Sequence, residues 1–228
     1  MRGTTDGGGR TTSPGQGRRG GRRPSRTLPA AALLLAVAVL SLGTACGGSS
    51  GGSPAGGPAQ DGGPTETYTN AEYRFSITCG SALTQGDPSE GNGAGAVFAI
   101  AFVDTEGPRA GKAYTDGVQV AVFKLARTVT PDEVRGLEQQ VRDTVDERVT
   151  SLQSGRVVEP VTRTTVNGTP GFTVSYRFAR DGTAVAAVST FLFSGEYQYE
   201  LTGQASEASR ATVQPVVDAA MASFTVTE

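Results

Sequence analysis

The sequence predicts an α+β domain, an antiparallel β-sheet sandwiched by helices, that follows a signal peptide and a flexible linker. Three observations predict this arrangement: alternating apolar segments joined by Asn-Gly and Asp-Gly, two segments of helical periodicity, and a Gly-rich stretch behind an apolar amino terminus. The predicted boundaries are a signal peptide with a basic start over 1–45, a tether over 46–65 and one domain over 66–228.

The amino-terminal segment has the composition of an export signal. Seven arginines and one acidic residue precede an uncharged stretch over 28–45 that is rich in Leu, Ala and Val. Small residues then lead into Cys46, an order typical of a bacterial lipoprotein signal peptide. We therefore predict that Cys46 is the lipid-attachment site, bearing a diacylglycerol on the outer face of the cell membrane. The alternative is an uncleaved anchor, because a stretch of this length can just span a bilayer.

The tether after Cys46 consists mainly of Gly, Ser, Pro and Ala. Such a composition cannot bury apolar surface, so it predicts a flexible chain with a root-mean-square reach of about 20–25 Å. This length would keep a domain near the membrane without fixing its orientation.

The charge balance excludes a nucleic-acid binder. Removal of residues 1–45 takes away seven arginines and one aspartate, which leaves 13 basic and 21 acidic residues and a net charge of −8. A nucleic-acid surface would need a basic face. The mature sequence has no such cluster and no polybasic membrane patch.

The residue types needed for common catalytic sites are missing. The sequence has no His and only two Cys, so a His-activated nucleophile and a zinc site of the usual His/Cys kind are not predicted. Cys79 is interpreted as a small buried residue at a strand end. The loop from Asp87 to Asn92 offers oxygen atoms but lacks the ligand spacing of a calcium loop. We predict no catalytic residue, no metal ligand and no cofactor.

The first half of the domain predicts three strands followed by a helix. The strands are Tyr73–Thr78, Ala96–Val103 and the segment around Val118–Leu125, separated by polar loops at 79–95 and 104–116. Thr130-Pro131-Asp132-Glu133 then has the form of a capping box with Pro at the first helical position. The apolar spacing that follows predicts one amphipathic helix to about Gln153.

The second half predicts four strands in a meander, a last helix and a short closing strand. Asn167-Gly168, Asp181-Gly182 and Ser194-Gly195 mark the turns, since two-residue hairpin turns favour residues that accept positive φ. The helix is predicted at Ala208–Ala222, with a disturbance at Pro215. Tyr68, Tyr73, Tyr176, Tyr197 and Tyr199 are interpreted as half-buried strand residues, although they could line a groove.

The order of elements resembles the PsbP/Mog1/DcrB-like superfamily, and in particular its small actinobacterial lipoproteins. The matching residues are Tyr73-x-Phe75-x-Ile77, Val166-Asn167-Gly168-x-Pro170-Gly171, the pair Phe191-Leu192-Phe193 and Tyr197-x-Tyr199-x-Leu201-Thr202, and Ser223-Phe224. The resemblance implies an antiparallel sheet between helices and no catalytic residues. It also implies a binding role, since some members are photosystem subunits, some contact a GTPase and some are linked to cell-envelope lipid traffic.

Two functions follow as expectations. The first is a lipid-anchored, monomeric, non-catalytic accessory module that binds an envelope protein, lipid or glycolipid. A lipid ligand is expected against the sheet or between the sheet and a helix, under the loops 79–95 and 104–116. The alternative is an extracytoplasmic hydrolase with an unrecognised acid or Ser/Asp site.

Overall fold

The computed structural model describes residues 65–90, 95–108 and 116–227. Ten strands and three helices occupy these residues in the order β1 (Thr65–Asn70), β2 (Phe75–Gly80), β3 (Thr84–Gln85), β4 (Ser89–Glu90), β5 (Phe98–Val103), β6 (Gly117–Val129), α1 (Pro131–Val134), α2 (Glu138–Ser151), β7 (Arg156–Val166), β8 (Thr169–Arg180), β9 (Thr183–Ser206), α3 (Arg210–Ser223) and β10 (Thr225–Val226). A 3-10 turn at Arg135–Leu137 joins α1 to α2.

Strand β9 is a hairpin in which the chain folds back on itself. The backbone N–H of Glu207 donates to the carbonyl of Ala184 at 3.0 Å. The hydroxyl oxygens of Ser189 and Thr202, which are 13 positions apart, lie 2.9 Å from each other, whereas a straight strand would separate them by roughly 43 Å. The two arms meet at Gly195, whose φ is 60°, so the turn predicted at Ser194-Gly195 is confirmed.

The described strands form two antiparallel sheets. The large sheet has the order β3–β5–β6–β9–β8–β7, with β4 also paired to β5, and the small sheet has the order β1–β2–β10. The second arm of β9 pairs with β6 and the first arm pairs with β8. All of these pairings are antiparallel.

Helices cover opposite faces of the large sheet. Leu192 packs in a core with Val217 of α3, whereas its neighbour Phe191 packs in a core with Val145 of α2. Successive side chains of a strand point to opposite faces, so α3 and α2 lie on different sides. We call α3 with the small sheet the first layer, and α1 with the 3-10 turn and α2 the second layer. The α+β class predicted from the sequence, with a sheet between helices, is confirmed.

The two layers have different cores. The first layer contains a cluster of buried aromatic rings, in which Phe75 lies 5.5 Å from Phe224 and 6.2 Å from Tyr199 between ring centroids. In the second layer the helical contribution is aliphatic, and its valines pack on Phe172, Val174 and Phe193 of the sheet. The helical periodicity in the sequence thus places both helices with their apolar sides on the sheet.

The Asn-Gly and Asp-Gly turns have the predicted backbone conformation. Both central residues have positive φ, with 46° and 86° at Asn167 and Gly168 and 49° and 73° at Asp181 and Gly182. The amide of Asn167 also donates to the carbonyl oxygens of Ala222 at 2.9 Å and of Phe224 at 2.8 Å. The β7–β8 turn therefore caps the carboxyl end of α3.

Four details of the structure differ from the prediction. The predicted loop 79–95 contains the two-residue strands β3 and β4. Strand β1 was not predicted, because its sequence TETYTN lacks an apolar alternation and is held by pairing with β2. The helix predicted from Thr130 to Gln153 is interrupted by the 3-10 turn that contains Gly136, a residue of low helix propensity, and it ends at Ser151. Helix α3 continues through Pro215 as one helix.

The predicted signal peptide and Cys46 lie outside the described residues, as does all of the predicted tether except Thr65, which begins β1. Those predictions therefore stay predictions. Within the described part of the chain, none of the helices is long and apolar enough to span a bilayer.

Candidate functional site

A groove lies between α3 and the part of the large sheet that the first layer leaves open. It has a volume of about 260 Å³, and its floor is formed by β8 and the first arm of β9. One wall is the side of α3 that presents Arg210, Gln214 and Asp218, and the other is the β7 edge at Val158 and Glu159. None of the described residues of loops 79–95 and 104–116 lines this groove, so it is not the position under those loops at which a lipid ligand is expected from the sequence.

Most charged groups around the groove already have partners. Arg177 forms an ion pair with Glu207 at 3.2 Å. Glu159 accepts a hydrogen bond from Ser175 at 2.8 Å, and Asp218 accepts one from Gln214 at 2.8 Å. These contacts help to fix the walls of the groove, and the ion pair neutralises Arg177 and Glu207, whereas Glu159 and Asp218 keep their negative charges.

Two exposed groups on the groove wall differ from these neighbours. Among the described residues Arg210 has no ion pair or hydrogen bond from its side chain, and it begins α3 on the solvent side. Val158 is 52% exposed, the larger value of the two exposed large hydrophobic residues in the described part. Its exposure follows from a register irregularity between Val157 and Glu159, which turns Val158 out of the regular strand pairing.

A buried polar network joins the second layer to the large sheet. The guanidinium of Arg148 on α2 contacts both carboxylate oxygens of Glu200 on β9, with Nη2 at 2.9 Å from Oε2, and its Cζ lies 5.6 Å from the ring centroid of Phe191. The network continues through Thr202 and Ser189 to the hydroxyl of Tyr176.

Two groups of this network, Arg148 and Tyr176, have raised pKa values. Burial alone would lower the pKa of Arg148, but the carboxylate of Glu200 outweighs it and raises that pKa. Burial raises the pKa of Tyr176, so its phenol stays protonated. The side-chain atoms Arg148 Nε and Gln198 Nε2 are buried and have no hydrogen-bond partner within the described residues. The network therefore contains a buried ion pair, and Arg148 Nε beside it lacks a hydrogen-bond partner among the described residues.

A second buried polar cluster joins the first layer to the large sheet. The carboxylate of Asp116, at the start of β6, accepts hydrogen bonds from the backbone N–H of Ser206 at 2.7 Å and from the hydroxyls of Ser206 and Ser209. Ser209 is the N-cap residue of α3, and a carboxylate at a helix amino terminus is stabilised by the helix dipole.

The alternative function, a hydrolase, would use Ser, Asp or Glu side chains, and these two clusters contain the candidates. Asp116 and Ser206 are 0% exposed and Ser209 is 2% exposed. In this conformation their oxygens are directed at each other, so a substrate could not reach the hydroxyls without displacement of α3.

The other sequence-predicted residues occupy structural positions. Cys79 is buried, and burial followed by the charge of Glu66 raises the pKa of its thiol to about 12, as expected for an inert core residue. The tyrosines at 68, 73, 197 and 199 pack in the first layer and Tyr176 packs in the second, so they do not bring their rings together around the groove. In the described part of the chain, no three acidic, Cys or His residues are grouped as metal ligands.

Sequence reasoning did not identify the groove residues. Val158, Arg177, Ala186, Val188 and Arg210 occur in four separate elements, and their proximity depends on sheet order and on where α3 packs. The one local signal was the pair of adjacent valines, Val157 and Val158. Neighbouring residues of a strand point to opposite faces, so one of the two valines must point away from the second layer.

Comparison of the chain with known proteins finds similar solved structures. No protein-family model matches the chain, and no curated protein matches it. Similar solved structures include cyanobacterial PsbP from Synechocystis sp. PCC 6803 (TM-score 0.48, 14% identity, 75% of this chain and 98% of that chain). They also include LpqN of Mycobacterium tuberculosis, described as involved in cell envelope biogenesis (0.48, 10%, 72% and 91%), and a protein from Bacteroides thetaiotaomicron (0.47, 12%, 71% and 48%).

The match spans about half of the Bacteroides thetaiotaomicron protein and nearly all of the PsbP domain. A PsbP protein is among the structures to which this α+β chain is similar. Likenesses of this size concern the fold alone.

Proposed function

We propose that the protein is a lipid-anchored extracytoplasmic accessory module that binds an envelope protein or lipid in the groove beside α3 and catalyses no reaction. The observation on which this rests is the groove itself, which presents an exposed cation and an exposed aliphatic side chain on a rigid helix–sheet frame. Binding sites are usually concave and combine apolar side chains with a few polar groups.

The polar groups inside the domain support binding over catalysis. The hydroxyl and carboxylate groups of the Asp116 cluster, and the Arg148–Glu200 pair, are buried and bonded to each other. A general base or nucleophile must come within hydrogen-bond reach of a substrate, which these groups do not in this conformation.

The anchor rests on the sequence around Cys46. Replacing Cys46 by Ala should abolish acylation and leave the signal peptide uncleaved by the lipoprotein peptidase. Intact-mass analysis of membrane-extracted protein measures both. An unmodified thiol at Cys46 in the wild type would exclude the lipid anchor without affecting the binding proposal.

Site-specific photo-crosslinking in the cells that make the protein tests the groove. The full chain would carry a photoreactive residue at position 158, inside the groove, or at position 157, which is also exposed and lies on the same strand but faces away from the groove. We expect a discrete adduct from position 158 that is weak or missing from position 157. Mass spectrometry then distinguishes a protein adduct from a lipid adduct.

Equal crosslinking at the two positions would contradict the groove as the site. A hydrolase screen with the purified full chain tests the alternative. Turnover that disappears in Ser206→Ala or Ser209→Ala, while these variants stay folded, would overturn the binding module in favour of an enzyme.

A further inference from the structure

We propose that Asn167 is a site of spontaneous deamidation, and that its conversion to aspartate or isoaspartate releases the carboxyl end of α3 from the β7–β8 turn. Asn167 does not line the groove, so this inference goes beyond the proposed function and does not rest on it. It requires an Asn-Gly pair that water can reach and a side-chain amide whose hydrogen bonds hold two elements together.

The Asn167-Gly168 pair is exposed to solvent at the tip of the turn. Asparagine is a chemically labile residue, and a following Gly favours the reaction because it has no side chain to shield its backbone nitrogen. The space beside Gly168 is open, since no atom lies within 4 Å of the position that a Cβ would take. Water and hydroxide can therefore approach the reacting atoms.

The reaction uses only groups of this pair and solvent. The backbone nitrogen of Gly168 loses its proton to a solvent base and attacks Cγ of Asn167. A bond forms between these two atoms, the bond from Cγ to Nδ2 breaks, and Nδ2 leaves as ammonia. One water then opens the cyclic imide. Cleavage of the new bond gives aspartate, whereas cleavage at the main-chain carbonyl gives isoaspartate.

The nitrogen that leaves is the one that fastens the turn to α3. Nδ2 of Asn167 donates to the carbonyl oxygens of Ala222 at 2.9 Å and Phe224 at 2.8 Å. Ala222 lies in the last turn of α3, where carbonyl groups have no donor within the helix. Phe224 follows it, and its ring lies 5.5 Å from that of Phe75 in the first layer. The two bonds therefore fix both the end of the helix and the backbone of a core residue.

Both products of the reaction lose this donor. An aspartate is ionised at neutral pH and can only accept hydrogen bonds, so it would face two carbonyl oxygens that are also acceptors. An isoaspartate instead routes the main chain through Cβ, which lengthens a turn whose two central residues both have positive φ. The same two bonds should also slow the reaction in the folded protein, because Nδ2 must leave both acceptors.

Peptide mapping by mass spectrometry measures the rate of conversion. The full chain in detergent is incubated at mildly alkaline pH, with and without urea. We expect Asn167 to convert in both samples, at least about tenfold more slowly without urea, the factor that corresponds to the loss of one or two hydrogen bonds. The pair Asn92-Gly93, which lies outside the described residues, calibrates the urea sample because both pairs should convert at similar rates there.

Amide hydrogen exchange measures the consequence for α3. Protein deamidated at position 167 after folding, prepared in an Asn92→Gln background, should exchange the amides of the last turn of α3 at least about tenfold faster than unmodified protein. The Asn167→Asp variant should reproduce this change. Asn92→Asp introduces the same charge at the other Asn-Gly pair and should leave the exchange of α3 unchanged.

Three results would overturn the proposal. They are no conversion of Asn167 in the folded protein on prolonged incubation, conversion that is equally fast with and without urea, and equal exchange of α3 in Asn167→Asp and Asn92→Asp. If Asn167→Asp does not fold, the protein deamidated after folding decides the third comparison, because its α3 was already packed when the reaction occurred.

Discussion

The two buried carboxylates of the described chain, Asp116 and Glu200, fasten the two layers to the same sheet in different ways. Glu200 meets a full positive charge on Arg148 of α2, whereas Asp116 meets only neutral donors at the start of α3. An ion pair consists of two side chains that can be removed together, while one donor to Asp116 belongs to the backbone. The buried polar groups of the second layer could therefore be replaced by apolar side chains, whereas those of the first layer could not.

The largest effect is expected from breaking the ion pair. Glu200→Leu should lower the free energy of unfolding by about 3–5 kcal/mol, because Arg148 would be left buried without its counter-ion. The double variant Arg148→Met/Glu200→Leu should return to within about 1 kcal/mol of the wild type, since paired apolar replacements are often neutral. Urea unfolding of all three proteins measures the cycle, and a double variant as unstable as the single one would show that the pair itself stabilises the layer.

The first layer should respond differently to the equivalent change. Asp116→Asn should cost about 1.5–3 kcal/mol, the contribution of hydrogen bonds to a charged acceptor. The triple variant Asp116→Leu/Ser206→Ala/Ser209→Ala should not recover the lost free energy of unfolding. The backbone N–H at position 206, which donates to Asp116 in the wild type, would be left without an acceptor. If urea unfolding showed that the triple variant regains as much stability as the Arg148→Met/Glu200→Leu variant, the two layers would not differ in this respect.

The β7–β8 turn sharpens the comparison at the other end of α3. Asn167→Gly keeps a turn that accepts positive φ but deletes two hydrogen bonds to the end of α3, at about 1–2 kcal/mol. Gly168→Val leaves those bonds in place and forces a β-branched residue to a φ of 86°, at about 1–2 kcal/mol. Amide hydrogen exchange separates them, since only Asn167→Gly should loosen the last turn of α3.

The smallest effect belongs to the capping box of the second layer. The carboxylate of Glu133 accepts hydrogen bonds from the backbone N–H and the hydroxyl of Thr130, both at 2.9 Å, and these bonds with Arg127 lower its pKa to about 2. Because the folded pKa lies below the unfolded value of about 4.3, this stabilisation is complete above pH 4.3 and is lost as the pH falls toward 2.

The variant Glu133→Gln isolates that contribution. Its melting temperature should fall less steeply than that of the wild type between pH 4.5 and 2, as measured by circular dichroism. The control is Asp132→Asn, because Asp132 lies on the same helical turn and its side chain makes no hydrogen bond or ion pair within the described part of the chain. Identical pH profiles for Glu133→Gln and the wild type would show that the capping box does not couple to folding.

The local signals in the sequence gave most of the element order. The alternation of β8, the positive-φ turns at Asn167-Gly168 and Asp181-Gly182 and the Thr130 capping box all act between residues close in the chain. Strand β1 was missed because its six residues contain a single apolar side chain, Tyr68, and become a strand only beside β2. The break at Gly136 was missed because the apolar spacing continues across it.

The candidate site could not be predicted in the same way. Strand β8 and the β9 hairpin separate Val158 from Arg210 in the sequence, and only the sheet order and the position at which α3 packs bring the two residues to one groove. The buried partners Arg148 and Glu200 are 52 positions apart, and either alone reads as an ordinary surface charge.

The sequence alone determined the α+β class, the hairpin turns, the helix start and the expectation of a lipid anchor at Cys46, because each depends on short-range backbone preferences or on a contiguous motif. Tertiary structure decided which carboxylates are buried, which arginine is left without a partner and where the groove opens. Those properties depend on solvent exclusion and on contacts between distant segments, which have no counterpart in the local order of residues.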